Sequence, residues 1–170
     1  MQKTCWYPFS RDNSRNQSMK KTILFISLLF WTCAEASDVT EKEVINFVNE
    51  AVQLIQSEGM AALDKIGDPS GKFYIKAKSL YVFVYDQNCI IRAHPFKPTL
   101  VGRSYKGKPD VRGKKFRDEI VEKAIANGSG WTVYSYVKPD TPGIFNKKVY
   151  GKHVAVGSDH FIVCCGMYIK

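Results

Sequence analysis

The amino-acid sequence predicts an α+β domain with a long N-terminal helix and one antiparallel sheet of about five strands. Two observations support this fold class. Apolar residues recur at helical spacing over residues 40–57 and again over 114–127. The other regular segments alternate in the period-two manner of strands. The resulting order is helix, helix, hairpin, loop, helix and three strands, which is typical of α+β domains.

Residues 1–36 have the character of a leader rather than of a folded domain. Residues 19–36 combine a lysine pair, an apolar stretch and a small-x-small sequence that ends at Ala36, which are the three parts of a secretory signal. The apolar stretch spans about ten residues, whereas a membrane-spanning helix needs about twenty. We therefore expect cleavage after Ala36 and a single domain, residues 37–170, that is periplasmic or secreted and contains no membrane span.

Residues 1–18 are polar, lack periodicity and precede a second methionine, so we expect translation to start at Met19. Two alternatives remain open for this region. An amphipathic first helix would need a polar face, and Ser27 alone interrupts the apolar stretch. Lipidation at Cys33 would need a small residue before the cysteine and an aliphatic one three positions before it, where the sequence reads Phe-Trp-Thr.

The composition favours a basic domain of ordinary size. The chain carries 25 Lys and Arg against 16 Asp and Glu; removal of residues 1–36 takes away five basic and two acidic side chains, which leaves 20 against 14 and a formal charge of +6. The basic residues are spread along the sequence, which suits small anions and acidic surfaces. No RNA-binding aromatic motif, zinc-finger spacing or basic helix occurs in the sequence, so a nucleic-acid partner is not expected.

The first predicted element is an amphipathic helix over residues 40–57. Thr40, followed three residues later by Glu43, has the form of a capping box, and the helix then repeats apolar residues on one face: Val44, Phe47, Val48, Ala51, Val52, Leu54 and Ile55. Gly59 ends this helix. Residues 60–66 form a short second helix that stops at the sequence Gly-Asp-Pro-Ser-Gly.

A β-hairpin and a long loop follow. Residues 79–86 alternate aromatic and aliphatic side chains, residues 87–88 form the turn, and residues 89–94 form the return strand. Residues 96–112 are rich in Pro, Gly and Lys and predict a long loop. A loop of this length in a compact domain is usually functional, often as a lid.

The second half of the domain contains one helix and three strands. Residues 114–127 place apolar side chains on one helical face, and Gly128 ends the helix. Strands are predicted over 130–139, 149–156 and 161–168, of which the last two form a closing hairpin.

The sequence offers little for catalysis or metal binding. It contains three histidines, no serine in an activating Gly-x-Ser-x-Gly elbow, and no pair of carboxylates on one strand or helix face. After the leader, the cysteines are Cys89, Cys164 and Cys165, an odd number, and adjacent strand residues face opposite ways. Neither a disulfide scaffold nor a cysteine metal site is expected. We therefore expect no enzyme, no metal and no cofactor.

Binding of a small anion is better supported. The predicted strands are rich in aromatic residues, among them Tyr81, Phe83, Tyr85, Trp131, Tyr134, Tyr136 and Tyr150. Such a density also suits a packed core, but the polar tips of Tyr and Trp need partners when they are buried. Lys147 or Lys148 places a cation beside Tyr150. Aromatic walls, a cation and hydroxyl donors together can hold a small carboxylate.

Six segments resemble, in order, those of single Cache domains in bacterial extracytoplasmic sensors: YVFVYDQNCIIRAHP, LVGRSY, DVRGKKF, GSGWTVYSY, KKVYGK and CGMY. The resemblance covers residues 40–169. It implies a long N-terminal helix on a PAS-like antiparallel sheet of about five strands, with a pocket between the sheet and its covering loop. It also implies a ligand such as acetate, propionate, pyruvate or lactate, since members of this subfamily bind short organic acids.

The resemblance implies eight ligand-binding residues: Tyr81, Phe83, Tyr85, His94, Trp131, Tyr134, Lys147 and Tyr150. Lys147 is expected to pair with the carboxylate. Tyr81, Tyr134 and Tyr150 are expected to donate hydrogen bonds, the other aromatic rings to exclude water, and His94 to contact the ligand or fix the hairpin. Asp110 and Gly113 match a D-x-x-G turn that shapes the loop before the helix.

Three features depart from the family pattern. Cys89 and Cys164 stand where the family has glycine, and the bulk of Cys164 is expected to narrow the pocket or close it. Strand alternation also places Lys147 and Tyr150 on opposite faces unless a bulge intervenes, so one of the two is expected not to face the ligand.

The leading hypothesis is a periplasmic or secreted sensor-type domain that binds a short organic acid, without catalysis and without an output domain in the chain. Such a domain is expected to pass its signal to an envelope sensor or transporter. The alternative is a structural or adhesive basic module whose pocket is filled and whose charged surface binds an anionic partner.

Overall fold

The computed structural model describes residues 39–169, within which three helices and six strands form. The helices are α1 (Glu41–Glu58), α2 (Ala61–Gly67) and α3 (Phe116–Asn127). The strands are β1 (Tyr74–Ile75), β2 (Leu80–Asp86), β3 (Ile91–Ala93), β4 (Ser129–Lys138), β5 (Thr141–Val156) and β6 (Asp159–Ile169). The predicted leader, its cleavage after Ala36 and the start at Met19 lie outside the described residues.

The strands form one antiparallel sheet with the order β1-β2-β6-β5-β4. The short β3 lies outside this order and pairs with β2. The last strand of the chain is therefore central, between β2 and β5. This arrangement confirms the predicted α+β class. In β5 the strand begins at Thr141, eight residues before the predicted start, because β4 pairs with it along its whole length from Ser129↔Lys152 to Lys138↔Thr141.

One face of the sheet packs against α1 and α2. Thr40 caps α1 as predicted, with reciprocal hydrogen bonds to Glu43 that satisfy backbone N–H groups at the helix start. The apolar face of α1 covers alternate residues of the central strands: Leu80, Val82, Val84, Phe161, Val163 and Cys165. We call this side the α1 face.

The opposite side, the α3 face, carries the other set of alternate residues. It is more aromatic, with Tyr81, Phe83 and Tyr85 of β2 packed under α3 and the loop before it. A glycine makes the close approach of α3 possible, because a Cβ atom at Gly151 would lie 3.0 Å from Cγ2 of Ile120. This difference between the faces is visible in the sequence, because aromatic and aliphatic residues alternate strictly in β2. The aromatic side chains therefore lie on the α3 face and the aliphatic ones on the α1 face.

The predicted loop is present between β3 and α3 and is held at three places. Backbone hydrogen bonds join it to the β2–β3 hairpin, for example from Gly102 N to Ile91 O (2.8 Å) and from Tyr105 N to Cys89 O (3.1 Å). The carboxylate of Asp118 in α3 accepts hydrogen bonds from Gly107 N. The loop, which we call the lid (residues 95–115), therefore covers the α3 face in a defined position.

Asp110 holds the end of the lid. Its carboxylate accepts hydrogen bonds from the backbone N–H groups of Arg112, Lys114 and Ser135, at 2.8–2.9 Å. Burial raises the pKa of this carboxyl, but these three N–H groups more than offset it, and the pKa lies below its usual value. The geometry agrees with the loop-shaping role predicted for the Asp110–Gly113 turn.

Candidate anion-binding site

Lys147 places a buried ammonium group on the α3 face. In the β-sheet register it stands between Tyr134 of β4 and Tyr168 of β6, and its side chain is fully buried. The Nζ atom lies 3.8 Å from the ring centroid of Tyr81 and 5.1 Å from that of Tyr168. Within residues 39–169 this Nζ has no hydrogen-bond partner.

This environment is costly for a charged amine. Burial lowers the pKa of Lys147 from 10.5 to about 7, because the charged form loses its hydration. The surrounding rings offset part of the loss, since a desolvated cation over an aromatic face gains about 2 kcal/mol. An ammonium group has three donors, and aromatic faces do not replace an acceptor. An oxygen acceptor, preferably an anion, would satisfy this group.

Arg117 supplies a second buried cation from the first turn of α3. Only 8% of its surface is exposed, and its Nε atom has no hydrogen-bond partner in the described part of the chain. Its guanidinium carbon lies 4.1 Å from the ring centroid of Phe116 and 4.6 Å from that of Tyr105 in the lid. Among residues 39–169, the ion pairs involve neither Arg117 nor Lys147.

Tyrosine hydroxyls surround the two cations. Burial raises the pKa of Tyr81, Tyr134 and Tyr136, so these phenols stay neutral and act as donors at physiological pH. Arg117 lies beside the hydroxyls of Tyr85 and Tyr136, where its charge offsets part of the increase in their pKa that burial causes. We call this region between the α3 face and the lid the compartment. It contains cations and hydroxyl donors but, in the described residues, no carboxylate that contacts them.

His94 is a neutral member of this compartment. Its ring packs nearly parallel to that of Phe83, with centroids 5.6 Å apart, and its Nδ1 accepts a hydrogen bond from Lys97 N at 3.1 Å. Burial and then the charges of Lys147 and Lys97 lower its pKa to about 3. The imidazole thus carries its single proton on Nε2, which is free to act as a donor.

Six of the eight predicted site residues lie on the α3 face: Tyr81, Phe83, Tyr85, His94, Tyr134 and Lys147. Trp131 and Tyr150 do not. They are cross-strand partners with ring centroids 5.2 Å apart and pack with the α1 core. No bulge intervenes between Lys147 and Tyr150, so alternation sends their side chains to opposite faces. We leave Trp131 and Tyr150 out of the proposed site.

The structure adds residues that sequence reasoning did not assign. These are Arg117 in the first turn of α3 and Tyr105 and Lys97 of the lid, for which the sequence alone predicts no role. Tyr168 was placed in the final strand without a role; its hydroxyl donates a hydrogen bond to Val137 O at 2.6 Å, and its ring contacts Lys147. A signal was present for Tyr168, because it lies four residues after Cys164 and so shares its strand face.

The two cysteine departures have different consequences. Cys89 adopts a left-handed backbone conformation (φ 57°) in the β2–β3 turn, a conformation that favours glycine. Cys164 is fully buried on the α3 face, where it is the cross-strand partner of Gly151. Cys165 packs on the α1 face, so the two adjacent thiols point apart as predicted.

Two open grooves lie elsewhere, and neither is lined by the eight predicted site residues. One of about 430 Å³ runs between α1 and the end of β5, lined by polar residues that include Asn49 and Lys152, which hydrogen-bond to each other. Another of about 390 Å³ lies beside the second half of α3. Neither contains an unpartnered buried polar atom of the described residues. In the same part of the chain, no group of three or more His, Cys, Asp or Glu side chains is placed to hold a metal ion.

Comparison with family models gives a match over residues 14–170, to the model described as single Cache domain 2. The chain belongs to this family. Cache domains are non-catalytic ligand-binding modules, which confirms the prediction that this protein is not an enzyme. A search of curated proteins finds no match.

Solved structures of Cache sensor domains share this fold. One, described as the structural basis for carboxylic acid recognition by a Cache chemosensory domain, is 21% identical, with a TM-score of 0.62 over 76% of this chain and 92% of that chain. A methyl-accepting chemotaxis protein from Vibrio parahaemolyticus RIMD 2210633 is 21% identical, with a TM-score of 0.63 over 76% and 88%. A periplasmic sensor domain of a chemotaxis protein is 22% identical, with a TM-score of 0.58 over 74% and 88%. The predicted Cache fold is thus confirmed.

Among the described residues, no helix is both long enough and apolar enough to span a membrane.

Proposed function

We propose that this Cache domain is an extracytoplasmic sensor that binds a small carboxylic acid between the α3 face and the lid. The observation that carries the proposal is the fully buried Lys147 ammonium, which has no hydrogen-bond partner within residues 39–169. A carboxylate beside Nζ would replace the lost hydration with a charge-assisted hydrogen bond. The carboxylic acid recognised by the related Cache structure supports the same ligand chemistry.

The surrounding groups suit the rest of such a ligand. The rings of Phe83 and Tyr81 offer apolar walls, and the Nε2–H of the neutral His94 offers a further donor. A ligand of six heavy atoms gains at most about 1.5 kcal/mol per atom, or about 9 kcal/mol in total. That limit corresponds to a dissociation constant just below micromolar. We therefore expect micromolar binding.

Access to the site requires movement of the lid. Lys147 is fully buried and Tyr105 of the lid covers Arg117, so a ligand cannot reach either cation while the lid is in this position. The lid is held by hydrogen bonds to the β2–β3 hairpin and to α3, and by partly buried Phe96, Leu100 and Tyr105 that pack on the α3 face. Local opening of such segments costs less than global unfolding.

Thermal-shift and calorimetric titration with acids of two to five carbons would test the proposal. A ligand at about 100 times its dissociation constant adds about 2.7 kcal/mol of stability. Lys147→Met should abolish this effect. Lys148→Met is the matched control, because the neighbouring Lys148 points to the α1 face, where it pairs with Glu41 and lies over Trp131; its ligand response should equal that of the wild type.

An unchanged response in Lys147→Met, or no stabilisation of the wild type by any acid of the series, would contradict the proposal. The second result would favour the alternative of a basic structural or adhesive module. That module predicts partner binding that is lost steeply between low and moderate salt, and it gives no role to an unpaired cation inside the domain.

We further propose that the domain acts in the periplasm or outside the cell and passes its signal to an envelope sensor or transporter. The periplasmic location of a related sensor domain supports this placement. Isolation of the full chain's complexes from an envelope extract, with and without a bound acid, would test the partner. Cell fractionation with an antibody to the domain would test the location, and a cytoplasmic signal would contradict it.

A further inference from the structure

The compartment under the lid contains two separate cationic anchors. Lys147 of β5 contacts the rings of Tyr81 and Tyr168, whereas Arg117 of α3 contacts those of Phe116 and Tyr105. We infer that the ligand is a short dicarboxylate, with one carboxylate on Lys147 and the other on Arg117. This inference rests on the proposed function and specifies its ligand class.

Tyr136 links the two anchors. Its ring centroid lies 5.9 Å from Nζ of Lys147, and its hydroxyl lies beside the guanidinium of Arg117. One aromatic side chain therefore borders both cations, so that they belong to a single compartment and not to two unrelated sites. His94 also senses both, because the charges of Lys147 and Arg117 each contribute to its lowered pKa after burial.

The described residues place no ion-pair partner beside the cations of this compartment. Lys97 of the lid is a third cation, with Nζ 5.2 Å from the ring centroid of Tyr136. Over residues 39–169, every ion pair involves side chains other than these three. A single carboxylate on Lys147 would leave the guanidinium of Arg117 buried without a counter-ion among the described residues. A dianion would neutralise both.

The chemistry of the two anchors differs in a way that suits two ends of one ligand. The ammonium of Lys147 is a point charge that accepts a carboxylate in many orientations. The guanidinium of Arg117 is a planar fork whose Nε is unpartnered, and a fork of this kind binds a carboxylate through two parallel hydrogen bonds. The ligand is thus expected to be oriented, with its second carboxylate under Tyr105 of the lid.

Isothermal titration calorimetry with matched acids would test the inference on the whole chain. Each straight-chain dicarboxylate from malonate to adipate is compared with the monocarboxylate of equal carbon number, for example succinate with butyrate. We expect the best dicarboxylate to bind at least about tenfold tighter than its monocarboxylate partner, the factor that one further charge-assisted pair supplies. The chain length of that dicarboxylate would report the separation of the anchors.

Two variants locate the second anchor. Arg117→Gln should reduce the ratio of dicarboxylate to monocarboxylate affinity to about one, because Lys147 is then the one remaining anchor of the two. Arg117→Lys keeps the positive charge but lacks the planar guanidinium, so it should retain part of the dicarboxylate preference. Retention of part of the preference would also show that this position tolerates substitution. Circular dichroism checks that both variants are folded, and Lys148→Met should keep the full preference.

The outcomes separate the two proposals. If wild-type protein binds monocarboxylates as tightly as dicarboxylates of equal length, or if the preference survives in Arg117→Gln, the dicarboxylate inference is wrong and the proposed function stands. If neither kind of acid binds, the proposed function itself is wrong.

Discussion

Removal of the buried charge at Lys147 should stabilise the ligand-free protein while it abolishes binding. Methionine is unbranched like lysine, one atom shorter and uncharged, so Lys147→Met removes the ammonium and keeps an apolar side chain beside the rings of Tyr81 and Tyr168. In ligand-free protein the wild-type ammonium has lost its hydration without gaining an acceptor from the described residues. The variant lacks this penalty.

The size and pH range of the effect follow from the pKa of Lys147. The difference between 10.5 and about 7 corresponds to about 5 kcal/mol, at about 1.4 kcal/mol for each pKa unit. This value is an upper limit, because surrounding groups relax; replacement of buried charges by apolar groups gains about 1–4 kcal/mol. Below about pH 7 both folded and unfolded chains are protonated at this residue, so the penalty is complete and constant.

Between pH 7 and 10.5 the unfolded chain binds more protons than the folded chain, and the stability of the wild type rises with pH. At pH 9 less than about half of the penalty remains. We therefore expect Lys147→Met to gain about 2 kcal/mol at pH 6, or about 8 °C in Tm for a domain of this size. The gain should be less than half as large at pH 9.

Urea denaturation at pH 6 and pH 9, followed by circular dichroism, measures this difference. The Lys148→Met control should show no gain at either pH, because it removes a partly exposed ion pair with Glu41. A Lys147→Met variant that is less stable than wild type at pH 6, or a stability gain that does not change between the two pH values, would refute the reasoning.

Three further predictions test other parts of the structure. The affinity for a carboxylate should be constant below about pH 7 and fall about tenfold per pH unit above it, because binding needs the protonated Lys147. Titration calorimetry from pH 6 to 9 measures this dependence, and an affinity that does not change with pH would show that another group carries the charge. Gly166→Ala should cost about 3 kcal/mol, because a Cβ atom there would lie 2.4 Å from Cγ2 of Val149; thermal unfolding of a variant as stable as wild type would contradict this contact. Asp110→Ala should cost about 2 kcal/mol through the loss of three hydrogen bonds. The pKa of Asp110 is lowered in the folded state, so its contribution to the free energy of unfolding is complete above the ordinary pKa of 3.8 and is lost as the pH falls through the folded-state pKa. A difference in unfolding free energy between wild type and Asp110→Ala that stays constant from pH 7 to pH 3 would contradict this prediction.

Most elements of the fold could be predicted because their signals are local. The capping box at Thr40 and the apolar repeat of α1 depend on neighbours within a few residues, and the structure has both within one residue of the predicted bounds. The start of β5 could not be predicted in the same way. Residues 141–148 lack a clear alternation, and they are a strand because β4 pairs with this segment on one side and β6 pairs with it on the other from Asn146 onward.

The site depended on information that a single sequence does not contain. The choice between Lys147 and Lys148 is a question of strand register, and a shift of one residue exchanges the two faces. Tyr134 and Trp131 are separated by the same rule: residues on one face of a strand are an even number of positions apart, so a spacing of three places these two side chains on opposite faces. Arg117 needed the tertiary structure, since nothing local distinguishes a buried arginine in the first turn of a charged helix from a solvated one.

The stability of the lid and the occupancy of the site are linked through the same side chains. Tyr105 contacts Arg117, and Lys97 approaches Tyr136 from the lid side, so a carboxylate that binds the cations alters what the lid packs against. Without a ligand, closure of the lid completes the desolvation of two unpaired charges, which favours opening. With an anion bound, closure instead strengthens the ion pairs, because electrostatic interactions grow as water is excluded. A binding-dependent change in lid position follows directly from the unbalanced charge, and it is the kind of two-state response that a sensor domain needs.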